Sequence, residues 1–226
     1  MKHDFKLSKR IQKIESMVTS HYDHIWDCCC DHGLLGMSLL SQQENSKVHF
    51  VDIVPELMAT LKNKLERFYK NFTWQSHCID VAKLPLAQYQ GKHLVIIAGV
   101  GGDLMIKFIE AIYQQHKRLN IDFLLCPVHH QYALRQKLIK LDFSLKNEVL
   151  IEDNRRFYEI LHVSSTSNIT ANISPIGDNI WCATDDYQAA VVDKYLTKTL
   201  SHYQRIQQGK NNNVQNIIDA YRAIKP

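Results

Sequence analysis

Three consecutive cysteines, Cys28, Cys29 and Cys30, stand between Asp27 and the pair Asp31-His32 in the stretch HIWDCCCDHG. Thiols in this number suggest a metal or redox centre, but three adjacent thiolates cannot converge on one tetrahedral ion. Cys78, Cys126 and Cys182 are isolated, without a C-x-x-C partner. Residues alternate sides along an extended strand, so Cys28 and Cys30 are expected to share one face and Cys29 the other. A free cysteine packs as a small apolar group. The expectation is therefore a buried strand end with no metal site, delivering Asp31 and His32 to a pocket.

The acids carry more chemistry. Asp27 closes an apolar run that is followed by Gly33 and a helical pattern, the place where doubly wound sheets bind nucleotide-like ligands. Asp52 ends the run HFVDIV, where a carboxylate can accept both hydroxyls of a ribose, and Asp80 ends HCID, where one can accept from an adenine amino group. A fourth run ends in IIAGVGG, and the small residues Gly99, Gly101 and Gly102 let backbone lie against a ligand. A dinucleotide would need G-x-G-x-x-G at the first turn, but Cys28 and Cys30 fill two of those positions, so a pyrophosphate would meet side chains. S-adenosylmethionine (SAM) has no phosphate, and its ammonium and sulfonium are cations suited to acids at strand ends.

The elements that must position these residues follow from periodicity. Leu7, Ile11, Ile14 and Met17 have helical spacing and predict an opening helix. Short apolar runs then alternate with helical patterns as far as Phe143, the signature of parallel strands joined by crossover helices on both faces. LKNEVLIEDN and RRFYEILHVS follow without a helix between them and predict an antiparallel hairpin turning at Asp153-Asn154. Residues 164–177 read as a loop. Stripes at Val192, Tyr195, Leu196, Thr199, Tyr203 and Ile206, and at Val214, Ile217, Ile218 and Tyr221, predict a helical hairpin turning at Gly209–Asn213. It is too small for a core of its own and should pack on the main unit. The division expected is 1–165 for the α/β domain and 166–226 for the loop and helical hairpin.

Composition narrows the class. The chain has 226 residues, 45% apolar, with a formal charge of +4. That size can bury a full α/β core, and the mild charge permits a nucleic-acid partner without requiring one. No run reaches membrane-spanning length, and the opening MKHDFKLSKR lacks an apolar segment. A cytoplasmic protein with reduced thiols is expected.

Taken together, these motifs resemble one family. Leu7-Ser8-Lys9-Arg10-Ile11, the stretch from Asp27 to Gly36, Ile97-Ala98-Gly99-Val100-Gly101-Gly102 and Phe157-Tyr158-Glu159-Ile160-Leu161 are similar, nearly end to end, to the bacterial tRNA (adenine-N1)-methyltransferases called TrmK. That family is SAM-dependent and acts on the adenine at tRNA position twenty-two. The chain departs from it at Cys29 and Cys30, where the family pattern D-x-G-S-D-H has glycine and serine, and at Cys126-Pro127-Val128, where a Q-P-N-like triplet is expected. The resemblance implies a Rossmann-like class I methyltransferase fold: a mostly parallel seven-stranded sheet closed by an antiparallel hairpin, plus a C-terminal helical hairpin. It implies SAM as cofactor, with Asp27, Cys29, Gly33, Asp52, Ile53, Asp80, Val81, Gly99, Gly101 and Gly102 around it, and tRNA as partner; the sequence leaves the oligomeric state open, a monomer being favoured.

Methylating adenine N1 needs no proton removed before attack, because N1 offers a lone pair, and the product is a cation. A carboxylate accepting from the exocyclic amino group would orient N1 and offset the developing charge. Asp31 is the candidate, with His32 as support; the rival reading of Asp31 is the N-cap of the helix that starts at Leu34. The base must be extruded or found exposed, at a cost of roughly a few kcal/mol that backbone contacts would offset. Candidate cations are Lys9 and Arg10, Arg155 with Arg156, and Lys194, Lys198 and Arg205. His129 and His130 are expected to line the pocket, and Arg10 could instead clamp the cofactor carboxylate. A SAM methyltransferase with another acceptor, an NAD-dependent oxidoreductase and a catalytically idle RNA-binding protein stay open as alternatives.

Overall fold

The computed structural model describes residues 7–209 and 213–224. One sheet contains β1 His24–Cys28, β2 Lys47–Asp52, β3 Trp74–Cys78, β4 His93–Ala98, β5 Ile121–Cys126, β6 Ser144–Asp153 and β7 Arg156–Ser164. The order is β3-β2-β1-β4-β5-β7-β6. The first five strands run parallel, and β7 inserts antiparallel between β5 and β6. The helices among the described residues are α1 Lys9–Ser16, α2 Leu34–Gln42, α3 Pro55–Phe68, α4 Gly102–Gln115, α5 Gln131–Lys140, α6 Asp186–Gln207 and α7 Gln215–Arg222. The expected fold class is thus what the chain adopts. The hairpin between β6 and β7 turns one residue later than expected, at Asn154-Arg155, both with positive φ (51° and 61°). That pair gives the twist-matched two-residue turn that right-twisted strands prefer. Most of the turn expected at Gly209–Asn213 lies outside the described residues.

Strand alternation builds two apolar layers. Leu94 and Ile96 of β4 face the side covered by α1, α2 and α3, whereas Val95 and Ile97 face α4 and α5. Both faces being covered explains why the central strands read as continuous apolar runs. On the α4 face a file of histidines, His24, His49 and His77, joins ring to ring at 3.0 and 2.9 Å beside Trp26. Burial holds these rings neutral, pushing His49 down to about 2.

A third cluster fastens the end of the chain. Leu150 of β6 packs with Ile180, Trp181, Val191, Val192, Tyr195 and Tyr221. Tyr203 of α6 stacks on Tyr221 of α7 at 5.8 Å, so the helical hairpin packs on the sheet as its size requires. Under this layer lies Arg135 of α5, with no exposed side-chain surface. Its Nε donates to Glu159 of β7 at 2.7 Å, its Nη1 donates to the Ser174 carbonyl at 3.2 Å, and its Nη2 lies 2.7 Å from Glu148 of β6. Glu159 also accepts from the Tyr195 hydroxyl of α6 at 2.6 Å, and Glu148 from the amides of Asp178 and Asn179. Removing the guanidinium would leave two carboxylates buried without a cation. Arg135→Met is expected to cost about 3–5 kcal/mol, read as a lowered urea midpoint; a midpoint within error of wild type would refute the pinning role.

Candidate active site at the carboxyl edge of the sheet

β1 lies between β2 and β4, and the connections leave it in opposite directions, so a crevice opens above the carboxyl ends of β1 and β4. A cavity of about 130 Å³ occupies it, lined among others by Arg10, Asp27, Cys29, Asp31, His32 and Ala98. Register puts the ends of β1, β2 and β3 level: Cys28 pairs with Val51, and Asp52 with Cys78.

Cys29 leaves the strand in the left-handed region, at φ 57°. This corrects the expectation that Cys28 and Cys30 share a side. Cys28 packs with Trp26, Val95 and Ile97 under α4, but Cys30 packs in the opposite layer, its Sγ 3.9 Å from the Met58 sulfur. The turn at Cys29 is what reverses the alternation, and such a backbone costs a side-chain-bearing residue about 1–2 kcal/mol. The position is one that suits glycine. Burial, then Asp52, Asp27 and Asp80, push the Cys29 thiol up to about 12, so it is no nucleophile at neutral pH. Among the described residues no group of three or more His, Cys, Asp or Glu is placed to hold a metal ion.

Asp27 is buried and its Oδ2 accepts from the amide of Gly36, in the first turn of α2, at 2.9 Å. A Cβ on Gly36 would come within 2.9 Å of that oxygen and 2.3 Å of the Phe50 ring. The capping of α2 therefore comes from Asp27. Its N-cap residue is Gly33, at φ 68° and without a side-chain cap, so Asp31 is not spent on that role. Asp31 is exposed, its amide donating to Asp52 at 3.1 Å and its carboxylate 3.7 Å from His32 Nε2. The second Asp52 oxygen accepts from the Val54 amide, also at 3.1 Å. Asp80 caps the short helical turn at Val81–Lys83 through the Ala82 amide at 2.9 Å. Ile53 is 64% exposed beside Asp52, whereas the Val81 side chain is buried in the core.

The glycines divide into two kinds. Gly99 has φ 86°, and a Cβ there would meet nothing within 4 Å, so it faces open space at the end of β4. Gly101 and Gly102 are instead accounted for by packing. A Cβ on Gly101 would lie 2.2 Å from the His129 ring, and one on Gly102 2.6 Å from the His130 carbonyl. They let the loops after β4 and β5 meet, and the Gly102 amide donates to the His129 carbonyl at 2.9 Å. His130 closes the same junction through Asp103, at 2.6 Å, a partner that no sequence motif signalled.

Arg10 belongs to the cavity. Ser8 caps α1, and the Arg10 amide donates to Asp153 of the hairpin at 3.2 Å, which sets the guanidinium 5.0 Å above the Tyr158 ring. His129, His130, Lys198 and Arg205 come together in a neighbouring cleft of about 540 Å³ between α6 and the loop after β5. Lys9, Arg155 and Lys194 are exposed and line neither cavity. Lys9 sits 5.5 Å from the Tyr187 ring in a separate surface groove. Sequence reasoning gave no site role to Tyr132, Phe157, His202 and Tyr203 of the cleft; aromatics interleaved with Arg156, Lys198 and Arg205 were the available signal.

The arrangement discriminates between cofactors. The anion position at the start of α2, where a pyrophosphate would lie, is already held by the Asp27 carboxylate. Acids ringing the crevice, an exposed apolar residue at the end of β2 and one arginine fit a cationic, phosphate-free nucleoside with a carboxylate. The sheet order and this edge define a Rossmann-like methyltransferase. Residues 7–161 match the family described as Methyltransferase domain, and the chain belongs to that family. Among solved structures it is similar to TrmK from M. capricolum in complex with S-adenosyl-homocysteine, at 17% identity over 96% of this chain and 97% of that one, with a TM-score of 0.75. It is similar also to the m1A22 tRNA methyltransferase TrmK of B. subtilis, at 19% identity over 96% and 94%, with a TM-score of 0.66. Magnesium protoporphyrin IX methyltransferase from Synechocystis PCC 6803 with bound SAM matches less of the chain, 70% against 80% of its own, at 16% identity and a TM-score of 0.54. At these identities the likeness is one of fold. A search of curated proteins by sequence finds no match.

Burial raises the Asp27 carboxyl to about 7, the Gly36 amide opposing and Asp52 reinforcing the shift. A folded pKa above the unfolded one means that this group's contribution to stability, full below about pH 4, is lost as pH rises through 7. Asp27→Asn keeps an acceptor for Gly36 and removes the titration. Its stability relative to wild type should therefore rise from pH 4 to pH 8, by about 1.4 kcal/mol per tenfold change in proton affinity. Urea titrations across that range check this, and a flat difference would contradict it.

Proposed function

We propose that the chain is a cytoplasmic SAM-dependent methyltransferase that transfers a methyl group to N1 of an adenine in tRNA. The observation that carries this reading is the extent of the fold match. The TrmK structures are covered almost from end to end, including the helical hairpin, whereas a methyltransferase of a porphyrin matches 70% of the chain. Six free cysteines fit a reducing compartment.

Bound SAM supplies an electrophilic methyl group. Asp52 offers its remaining lone pairs to the ribose hydroxyls, and exposed Ile53 lies beside them as an apolar surface for the adenine. Asp80 and the Val81 backbone serve the adenine edge, Gly99 leaves room for the ligand, Gly33 turns the chain beside it with its α-carbon packed on Leu61 and Phe50, and half-buried Cys29 takes a position on the wall. Asp27 faces the ammonium and Arg10 the carboxylate, which moves Arg10 from the RNA to the cofactor. Asp31, exposed and free of capping, accepts from the exocyclic amino group of the target adenine. It would thereby aim the N1 lone pair at the methyl carbon and offset the positive charge that the base acquires, the methyl passing from sulfur to nitrogen with S-adenosylhomocysteine as the leaving group. His32, 3.7 Å away, holds that carboxylate in place.

Calorimetry should show SAM binding and no NAD binding. Methyl transfer to unmodified tRNA, followed by nucleoside analysis, should give 1-methyladenosine. Asp31→Ala should reduce turnover by 100-fold or more, in the range set by losing one preorganised polar group, and leave SAM affinity within a few fold. Label on any other atom would refute the assignment, and an equal loss of SAM affinity would make Asp31 a cofactor ligand.

A further inference from the structure

The cleft beside the cofactor cavity has a composition that the chemistry of methyl transfer does not use. Its walls come from the loop after β5, the start of β7 and one face of α6. They carry Arg156, Lys198 and Arg205, three histidines and six aromatic rings, and no carboxylate at all. Of the acids bonded to its lining residues, Asp103 is held by His130, and Glu159 lies buried beneath, held by Tyr195 and Arg135. Tyr132, Phe157 and Tyr203 are half-buried, each presenting part of its ring, and Lys198 Nζ lies 5.4 Å from the centre of the Phe157 ring. Tyr132 and Tyr203 approach edge to face at 6.4 Å across the cleft.

Resting on the RNA reading above, we propose that this cleft is a subsite for one unpaired nucleotide flanking the methylated adenine, its base against Phe157, Tyr132 and Tyr203 and its phosphates on Arg156, Lys198 and Arg205. Half-exposed rings flanked by cations, with no acid, suit a ligand that has both a π-face and negative charge, the combination a single-stranded nucleic acid offers. A volume near 540 Å³ lies within the range of sites that enclose a small ligand. An acidic peptide would satisfy the cations but leave the aromatic set without a role.

Position supports the assignment. Tyr158 lines this cleft and also lies under Arg10 of the cofactor cavity, while His129 lines it and packs on Gly101 at the end of β4. The two cavities therefore adjoin where Arg10 rests on Tyr158. A nucleotide held in the cleft would anchor the strand next to the reacting base, supplying contact energy that offsets the unstacking of that base. It would also give α6 a direct part in substrate choice.

The test measures tRNA affinity by anisotropy over a salt series, SAM affinity by calorimetry, and methyl transfer, for Phe157→Ala, Phe157→Tyr, Arg156→Gln and Lys198→Gln. Phe157→Ala should weaken tRNA binding roughly 5- to 150-fold, with Phe157→Tyr restoring most of it. Each cation variant should flatten the salt slope by about one. SAM affinity should stay unchanged throughout. Phe157 packs 5.6 Å from the buried Tyr195, so the surface variants Arg156→Gln and Lys198→Gln decide the matter should the alanine variant unfold. Wild-type affinity and salt slope in both cation variants, with tRNA still bound and methylated, would overturn the subsite and leave the enzyme assignment intact. Absence of tRNA binding by the wild type would overturn both. Tighter binding of a polyglutamate peptide than of RNA at equal salt would assign the cleft to a protein and overturn the proposal.

Discussion

One buried guanidinium sets the geometry of the last third of the chain. Arg135 lies where α5, β6, β7, α6 and the loop around Ser174 meet, and each contributes a polar group to it or to its two carboxylate partners. A charge removed from water is tolerated only when such partners surround it. Its value is therefore positional rather than a large net gain. Glu159 accepts from Arg135 on one side and from Tyr195 on the other, so the sheet and α6 are tied through a single side chain.

A second constraint acts at the opposite end of the sheet. The buried Asp27 carboxylate supplies the start of α2 with the anion that helix dipoles attract. In dinucleotide-binding relatives of this architecture a phosphate plays that part, and here a side chain does, so the crevice is left for a ligand without phosphate. Gly36 must be glycine for the same reason, because a Cβ would press on both Asp27 and Phe50. Cys29 sits in this turn with a positive φ, a strained element in a loop whose neighbours Asp31 and Asp52 are bound to each other through backbone.

Much of this was legible in the chain. Apolar runs and their spacing gave every strand, and the acids at the ends of β1, β2 and β3 stood out because strand ends in parallel sheets are where ligands bind. What escaped was whatever depends on a dihedral angle or on residues far apart in sequence. The reversal at Cys29 comes from one φ, which no pattern of side chains displays. Arg135 sits among basic and polar residues in a helix and reads as solvated, although tertiary packing buries it completely. Tyr132, Phe157 and Tyr203 lie on three elements, and only the fold makes them neighbours.

The two cavities adjoin through the hairpin of β6 and β7. Arg10 is placed by Asp153, a residue at the end of β6, and rests on Tyr158, a residue of β7. The antiparallel hairpin thus supports the cofactor side through Asp153 and Tyr158, while Arg156 and Phe157, between them in sequence, face the cleft. Tyr158 serves both sides, lining the cleft as well as lying under Arg10. A displacement of the hairpin would move the arginine of one cavity and the aromatic wall of the other together. On the proposed reading, a flexible polynucleotide held in the cleft would be registered against the methyl donor by the same hairpin that places Arg10.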